Sequence, residues 1–477
     1  MADVKSIREA MLASLPKETS DFGATPDVKH LYVPPAHIKA LRPECNLVIG
    51  TRGVGKSVWT AALGSVELRR VLGASVPELG NIDVRVGFAE AECIDNYPDA
   101  ATFAQLLATG YTAYPIWQAV ILRWLAPDDV PRERWSETVE WIKTEPENLA
   151  RLVQRANQSF ADKGRRGLIV FDALDRSSQD WQTMDTIVRD LLRTVLWLRS
   201  YPRLSAKVFL RTDQFARPVT DFPDASKLSA SKVELIWTRH DLHGLLWQRL
   251  INAPAVCGEV LKEIYLDVVQ SSPVETEEFR GQLAQVAKRE TPEQRQLFSS
   301  LAGPWMGSDK RRGVPYLWSV GHLADGRGYT SPRSFLAAIR EAAEDSLERY
   351  PDYPYALHHE SIKRGIQKAS KIRVDEMAED YPWVRELMRP LAGLTVPCEY
   401  ELIVQRWERD FPKGPSTVSS NSLPPQHAKR GWDGIREDLL QLGIFMIKQD
   451  RRIDMPDLYR VGFDLGRRGG VKRLSSA

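Results

Sequence analysis

The chain has 477 residues, enough for two to four domains that each bury a core. Hydrophobic residues make up 43% and charged residues 27%, and the formal net charge is +2. This is the composition of a globular protein, with no overall sign of a polyanionic partner, so any basic patch has to be argued locally.

The four cysteines, Cys45, Cys93, Cys257 and Cys398, stand far apart and form no C-x-x-C pair. Reduced thiols fit that spacing better than a disulfide scaffold or a zinc site. The first residues mix charges with Leu and Ala and lack the apolar centre of a signal peptide. No run approaches the roughly 18 apolar residues of a membrane helix, so the expectation is a cytoplasmic protein without membrane contact. Residues 1–40 are expected to be an N-terminal arm, because Phe22–Pro26 and Tyr32–Pro35 look extended and turn-rich.

From Cys45 onward, short apolar strands alternate with amphipathic helices. The predicted strands are Asn46–Ile49, Val84–Phe88, Leu168–Phe171, Lys207–Leu210 and Val233–Trp237. Arg85 interrupts the second and suggests a sheet edge. The predicted helices are Ser57–Leu72, Phe103–Leu125, Asn148–Lys163 and Thr183–Arg199. The implied fold class is α/β, a parallel sheet covered by helices, over 41–245.

Beyond Trp237 the pattern turns helical, with helices expected at Asp241–Ile251, Thr276–Lys288, Pro292–Leu301 and Pro332–Glu348. These would form a helical lid domain over 246–375. The last part, 376–477, contains a loop over Pro412–Gln426 and then a helix at Trp432–Leu442. A strand, a turn at Asp450–Arg452 and a second strand follow, the order of a winged-helix-like domain.

The stretch Gly50-Thr51-Arg52-Gly53-Val54-Gly55-Lys56-Ser57 matches G-x-x-x-x-G-K-[ST] between a predicted strand and a predicted helix. Its glycines let the backbone turn N–H groups inward around phosphates, and the following helix adds the positive end of its dipole. Lys56 would reach the β- and γ-phosphates, and the Ser57 hydroxyl would bind Mg²⁺. A nucleotide is therefore the expected ligand. ATP is favoured over GTP because no [NT]-K-x-D guanine-reading motif follows.

Such a loop needs a second strand ending in a carboxylate. Leu168–Phe171 followed by Asp172 supplies one, which makes Asp172 the expected Mg²⁺ partner. Asp175 either orients the attacking water or merely caps the next turn. Arg211, at the end of the fourth strand, either senses the γ-phosphate or forms a surface ion pair. Arg333 opens a helix after Pro332, where it would deliver a cation to the nucleotide or simply be solvated. Lys310–Arg312 reads better as a solvated run than as an arginine finger.

The glycine loop, Phe171-Asp172-Ala173-Leu174-Asp175 and Phe209-Leu210-Arg211-Thr212-Asp213 together resemble the bacterial STAND and AAA+-like P-loop ATPases. Leu235–Trp237, His240–Leu242, Leu245–Arg249 and Ser331–Phe335 add to the likeness, which spans roughly residues 40–345. The resemblance implies ATP and Mg²⁺ as cofactors, with Lys56 and Ser57 on phosphate and metal, Asp172 on metal and Asp175 on water. It also implies a slow or partner-activated ATPase and a setting such as defence against phage. Ala173 stands where many AAA+ proteins carry a catalytic glutamate, and no usual arginine finger is visible, which puts rapid turnover and ring assembly in doubt.

Lys429, Arg430, Arg436, Lys448, Arg451, Arg452, Arg460, Arg467, Arg468, Lys472 and Arg473 make the C-terminal end locally basic. Contact with DNA through 429–473 is one reading. Docking onto a protein partner or a second copy is the other, since Asp433, Glu437, Asp438, Asp450, Asp454, Asp457 and Asp464 break up the patch. The functions to be distinguished are a switch ATPase, a non-hydrolysing ATP-gated DNA-binding regulator and a small-molecule kinase.

Overall fold

The computed structural model describes residues 3–17, 25–178, 180–215, 218–276, 281–418, 424–469 and 471–472. They form two compact units. One comprises 21–28 and 33–236, and the other 1–20, 29–32 and 237–477.

The first unit begins with α2 (Pro35–Leu41), preceded in the chain by α1 (Val4–Ser14) of the second unit. Its sheet contains β1 (Leu47–Gly50), β2 (Ile82–Phe88), β3 (Arg166–Phe171), β4 (Leu204–Arg211) and β5 (Val233–Glu234). All pairings are parallel, in the order β2-β3-β4-β1-β5, so β4 lies between β1 and β3. The three central strands are almost wholly buried, because helices cover both faces of a parallel sheet. β2, with Arg85, lies at an edge, as its sequence suggested.

The helices are α3 (Lys56–Gly64), α4 (Val66–Gly73), α5 (Ala100–Ala108), α6 (Ala113–Leu125), α7 (Trp135–Thr144), α8 (Pro146–Asp162), α9 (Trp181–Leu198), α10 (Thr212–Phe215) and α11 (Ala225–Ser229). Two expected long helices are each broken in two. The first breaks at Ser65, whose hydroxyl accepts from Leu68 N–H at 3.3 Å and starts α4 afresh. The second closes with Tyr111 N–H on the Leu106 carbonyl at 3.2 Å, before α6 begins. β5 is shorter than expected, although Leu235 N–H still reaches the Ile49 carbonyl at 2.8 Å.

Lys207, fully buried in β4, locks the entry to this sheet. Its Nζ donates to the carbonyls of Ala40 at 2.5 Å, Arg42 at 3.0 Å and Cys45 at 2.6 Å. The Arg42 carbonyl also accepts from Cys45 N–H at 3.1 Å, so the amine adds a second donor there and supplies donors to Ala40 at the C-terminus of α2 and to Cys45 at the entry to β1.

In the second unit, α1 is a regular helix inside the range expected as an N-terminal arm, ahead of the two stretches read as extended. The Asp3 side chain caps its start, and Arg8 is completely buried, donating to the carbonyls of Ala356, Pro351, Tyr350 and Tyr355. Next come α12 (Arg239–Leu250), α13 (Ala255–Val269), the β6 (Val274–Glu275) and β7 (Gly281–Gln282) pair, α14 (Pro292–Ala302) and α15 (Pro315–Gly321). Two long helices follow, α16 (Pro332–Arg349) and α17 (His359–Asp380).

Of the helix expected over Thr276–Lys288, the described part forms only a 3₁₀ turn at Gln285–Lys288. Gly281 is drawn into β7 by side chains of α12 and of the turn after it: its N–H meets Asn252 Oδ1 at 2.9 Å and its carbonyl meets Gln248 Nε2 at 2.7 Å. These bonds satisfy backbone groups that a helix would need for itself. Residues 277–280 lie outside the described residues.

The chain closes with α18 (Pro382–Met388), α19 (Tyr400–Asp410), α20 (Gly431–Gln441), the antiparallel pair β8 (Met446–Ile447) and β9 (Ile453–Asp454), and α21 (Asp457–Arg460). Cys398 bridges to Ile453, so three segments pair side by side next to α19 and α20. Residues 419–423 of the expected Pro412–Gln426 loop lie outside the described residues.

Candidate functional site

The loop 50–57 leaves the C-terminal end of β1 and enters α3. Gly53 and Gly55 take φ of +77° and +104°, left-handed values at which a Cβ is strained. At Gly50 a Cβ would stand 2.6 Å from Val54 Cγ1, so the loop also needs the missing side chain there. Gly55 is the N-cap of α3 and offers no side chain to bond its first N–H groups. These are the conditions under which a helix start holds an anion.

Lys56 folds back over the loop, and its Nζ donates to the carbonyls of Gly50 at 3.1 Å and Thr51 at 3.0 Å. Burial holds this amine down to about 8, against the upward pull of the Asp172 carboxylate. Asp172 is 2% exposed at the tip of β3. Burial pushes its carboxyl up, while Lys56 and a hydrogen bond donated by the Ser57 hydroxyl pull it down. The opposed effects on this amine and this carboxyl have one cause, a pair of charges shielded from water.

Because β4 separates β1 from β3, its tip falls between the glycine loop and the acidic turn. Gly50 is in register with Arg211. The Arg211 Nε donates to Asp213 Oδ1 at 3.1 Å, and Nη1 lies 3.5 Å from Asp175 Oδ2. Asp175 sits on a short 3₁₀ turn, Leu174–Arg176, after Ala173, which takes a left-handed φ of 55°. Asp172, Asp175, Asp213 and Arg211 all act electrostatically on Lys56.

The structure thus brings together Gly50–Ser57, Asp172, Asp175 and Arg211. Arg333 belongs to the second unit, where it opens α16 and pairs with Glu376 of α17 at 2.8 Å. Lys310–Arg312 is an exposed 3₁₀ turn, in keeping with a solvated run. The anchoring part played by Asp213 was not read from the sequence. Its only signal was its place two residues after Arg211.

The hard oxygen donors at Ser57 and Asp172 suit Mg²⁺, which is usually held by one or two protein oxygens with phosphate and water completing the shell. Among the described residues no group of three or more His, Cys, Asp or Glu side chains is placed to hold a metal by itself.

The C-terminal basic residues are largely spent on internal pairs. Arg460 is 1% exposed and bound to Asp457, and Arg467 pairs with both Asp454 and Asp457. Lys448 pairs with Asp454, Arg452 with Asp450, Arg436 with Asp433 and Arg430 with Glu437. Lys429, Arg451 and Arg468 are exposed and make no ion pair among the described residues. Arg473 lies outside the described residues.

The sheet order, the loop after β1 and the carboxylate ending β3 define a P-loop α/β fold followed by helical structure. No family model and no curated protein matches the sequence. Among solved structures, the chain is similar to the ORC2 protein of Aeropyrum pernix, determined in ADPNP–ADP complexes. The two are 11% identical over 91% of this chain and 94% of that one, with a TM-score of 0.43. So distant a likeness adds no weight to the site, which stands on its own residues. No described helix is long and apolar enough to cross a membrane.

Proposed function

We propose that the protein binds ATP with Mg²⁺ at Gly50–Ser57 and hydrolyses it slowly or upon activation by a partner. The observation that carries this reading is the convergence of Lys56, Asp172, Arg211 and Asp175 at the tips of three adjacent strands. Backbone N–H groups of the loop and Lys56 would hold the phosphates, and Ser57 with Asp172 would hold the metal, which supplies charge neutralisation. Asp175 would accept a proton from water, and Arg211 would stabilise charge that develops on the γ-phosphate.

In this reading 41–245 is the nucleotide domain, 246–375 a lid carrying Arg333, and 376–477 a winged-helix-like module. The helix, bridge, helix, helix and hairpin sequence around Cys398 and Ile453 supports that last assignment. Internal pairing of its cations favours protein docking or self-assembly over DNA contact for the module. A non-hydrolysing, ATP-gated regulator is the second reading. It is favoured by Ala173 in the left-handed turn and by the engagement of Asp175 with Arg211.

Calorimetric ATP binding and steady-state hydrolysis on the full chain test both readings. Lys56→Ala should weaken ATP binding at least about tenfold, the scale of one charged hydrogen bond. Asp175→Ala should keep binding and lose turnover. Binding indifferent to Lys56→Ala would sink the site. Binding without turnover in the unaltered protein would leave the regulator.

A further inference from the structure

Two carboxylates share the Arg211 guanidinium on unequal terms. Its side chain is 11% exposed, so it is held by its neighbours and hardly by water. Asp213 takes the Nε donor at 3.1 Å, and the backbone of the same turn is fixed by Gln214 Oε1, which accepts from Arg211 N–H at 3.1 Å. Asp175 approaches the Nη edge from the turn after β3, at 3.5 Å, and is 35% exposed. A guanidinium presents five N–H donors in a rigid fork, so a bond at Nε fixes its plane while the Nη edge is able to change partner. The Asp175 contact is long for a charged hydrogen bond, which marks it as the exchangeable one.

We propose that Asp213 is a positioning residue that anchors Arg211, and that Arg211 exchanges Asp175 for the γ-phosphate of a bound triphosphate. The exchange makes one side chain responsible for two events. It distinguishes triphosphate from diphosphate, and it releases the Asp175 carboxylate to face water only when a triphosphate is present. Asp175 is then a competitor of the ligand as well as the candidate base. The inference rests on the reading of Gly50–Ser57 as an ATP site.

The test is the ratio of affinities for a non-hydrolysable imido analogue of ATP and for ADP, measured by calorimetry on the full chain with Mg²⁺. Asp175→Asn keeps the shape and removes the competing charge. It should raise the preference for triphosphate roughly tenfold, the worth of about one charged hydrogen bond. Arg211→Gln should lower the preference to what Lys56 and the metal supply, and adding Asp175→Asn to it should change nothing further. Asp213→Asn should lower the preference several-fold by loosening Arg211.

If Asp175→Asn tightens both nucleotides equally, or acts as strongly without Arg211, the effect is a general relief of negative charge and the exchange is wrong. An unchanged preference in Asp213→Asn overturns the anchoring role. Binding of neither nucleotide by the unaltered protein overturns the ATP site itself, an outcome distinct from these because the preference then cannot be formed.

Discussion

The indole N–H of Trp59 donates to Nδ1 of His37 at 3.2 Å, and the other ring nitrogen of His37 meets the Ile236 carbonyl at 3.1 Å. An indole only donates, so Nδ1 must accept and Nε2 must carry the proton that goes to Ile236. Trp59 lies on α3, one turn beyond Lys56 and Ser57. The helix that carries Lys56 and Ser57 is therefore tied to α2 and to the chain beyond β5 through one neutral, fully buried imidazole.

Replacing His37 by Ala would orphan the indole N–H and the Ile236 carbonyl, at about 2 kcal/mol. Burial holds the imidazole down to about 4, from an ordinary 6.5. Between those values the unfolded chain binds more protons than the native one. The stability this histidine contributes is thus complete above pH 6.5 and is lost as pH falls toward 4. At about 1.4 kcal/mol per unit the loss approaches about 3 kcal/mol. Urea unfolding across this range should show a flatter pH dependence for His37→Gln, whose amide can both accept and donate. An unchanged slope would refute the assignment. His243, also fully buried and held to about 3, steepens the acid limb further in both proteins.

Lys207→Met should destabilise the first unit by about 1–3 kcal/mol at neutral pH, because the hydrogen bonds from its amine to Ala40, Arg42 and Cys45 are lost and only Arg42 keeps another donor, Cys45 N–H. Burial depresses the amine to about 8 from 10.5. Above pH 8 the unfolded chain again holds more protons, so the unaltered protein gains stability as pH rises toward 10.5, while the Met variant lacks that gain. The difference between the two in urea should therefore widen from pH 8 to pH 10.

Gly365, in the middle of α17, sits so close to α16 that a Cβ would stand 2.1 Å from the Ala338 carbonyl oxygen. The obstacle is backbone and cannot swing aside. Gly365→Ala should cost about 3 kcal/mol, read as a lowered denaturant midpoint, and should leave the midpoint unchanged if the two helices are free to separate.

Ala173 occupies a left-handed conformation that costs an L-residue about 1–2 kcal/mol. Ala173→Gly should raise stability by about 0.5 kcal/mol after the added entropy of the unfolded glycine is set against that relief. Thermal unfolding with and without ATP would check it, and a lowered Tm would show that the methyl group packs usefully in the turn.

Much of the sheet was legible because buried parallel strands are short apolar runs, and Leu168–Phe171 and Lys207–Leu210 read that way. The breaks at Ser65 and after Ala108 were less visible, since both interrupt continuous helical patterns and show themselves only in capping bonds. Helix α1 was missed because its burial depends on Arg8 finding carbonyls more than 340 positions away. The helix expected over Thr276–Lys288 failed for the same kind of reason, when Gln248 and Asn252 claimed the backbone of Gly281.

By itself, the sequence determined the glycine loop after β1 and the acid after β3. Glycine conformations, a lysine and a serine at a helix start, and a carboxylate at a strand end are local matters, decided within a few residues. Only the tertiary structure decided that β4 runs between β1 and β3, setting Arg211 beside Gly50 and within reach of both Asp175 and Asp213. Strand neighbours and the partner of a cation are chosen by long-range packing, where many pairings share the same local propensities and differ only in what they bury together.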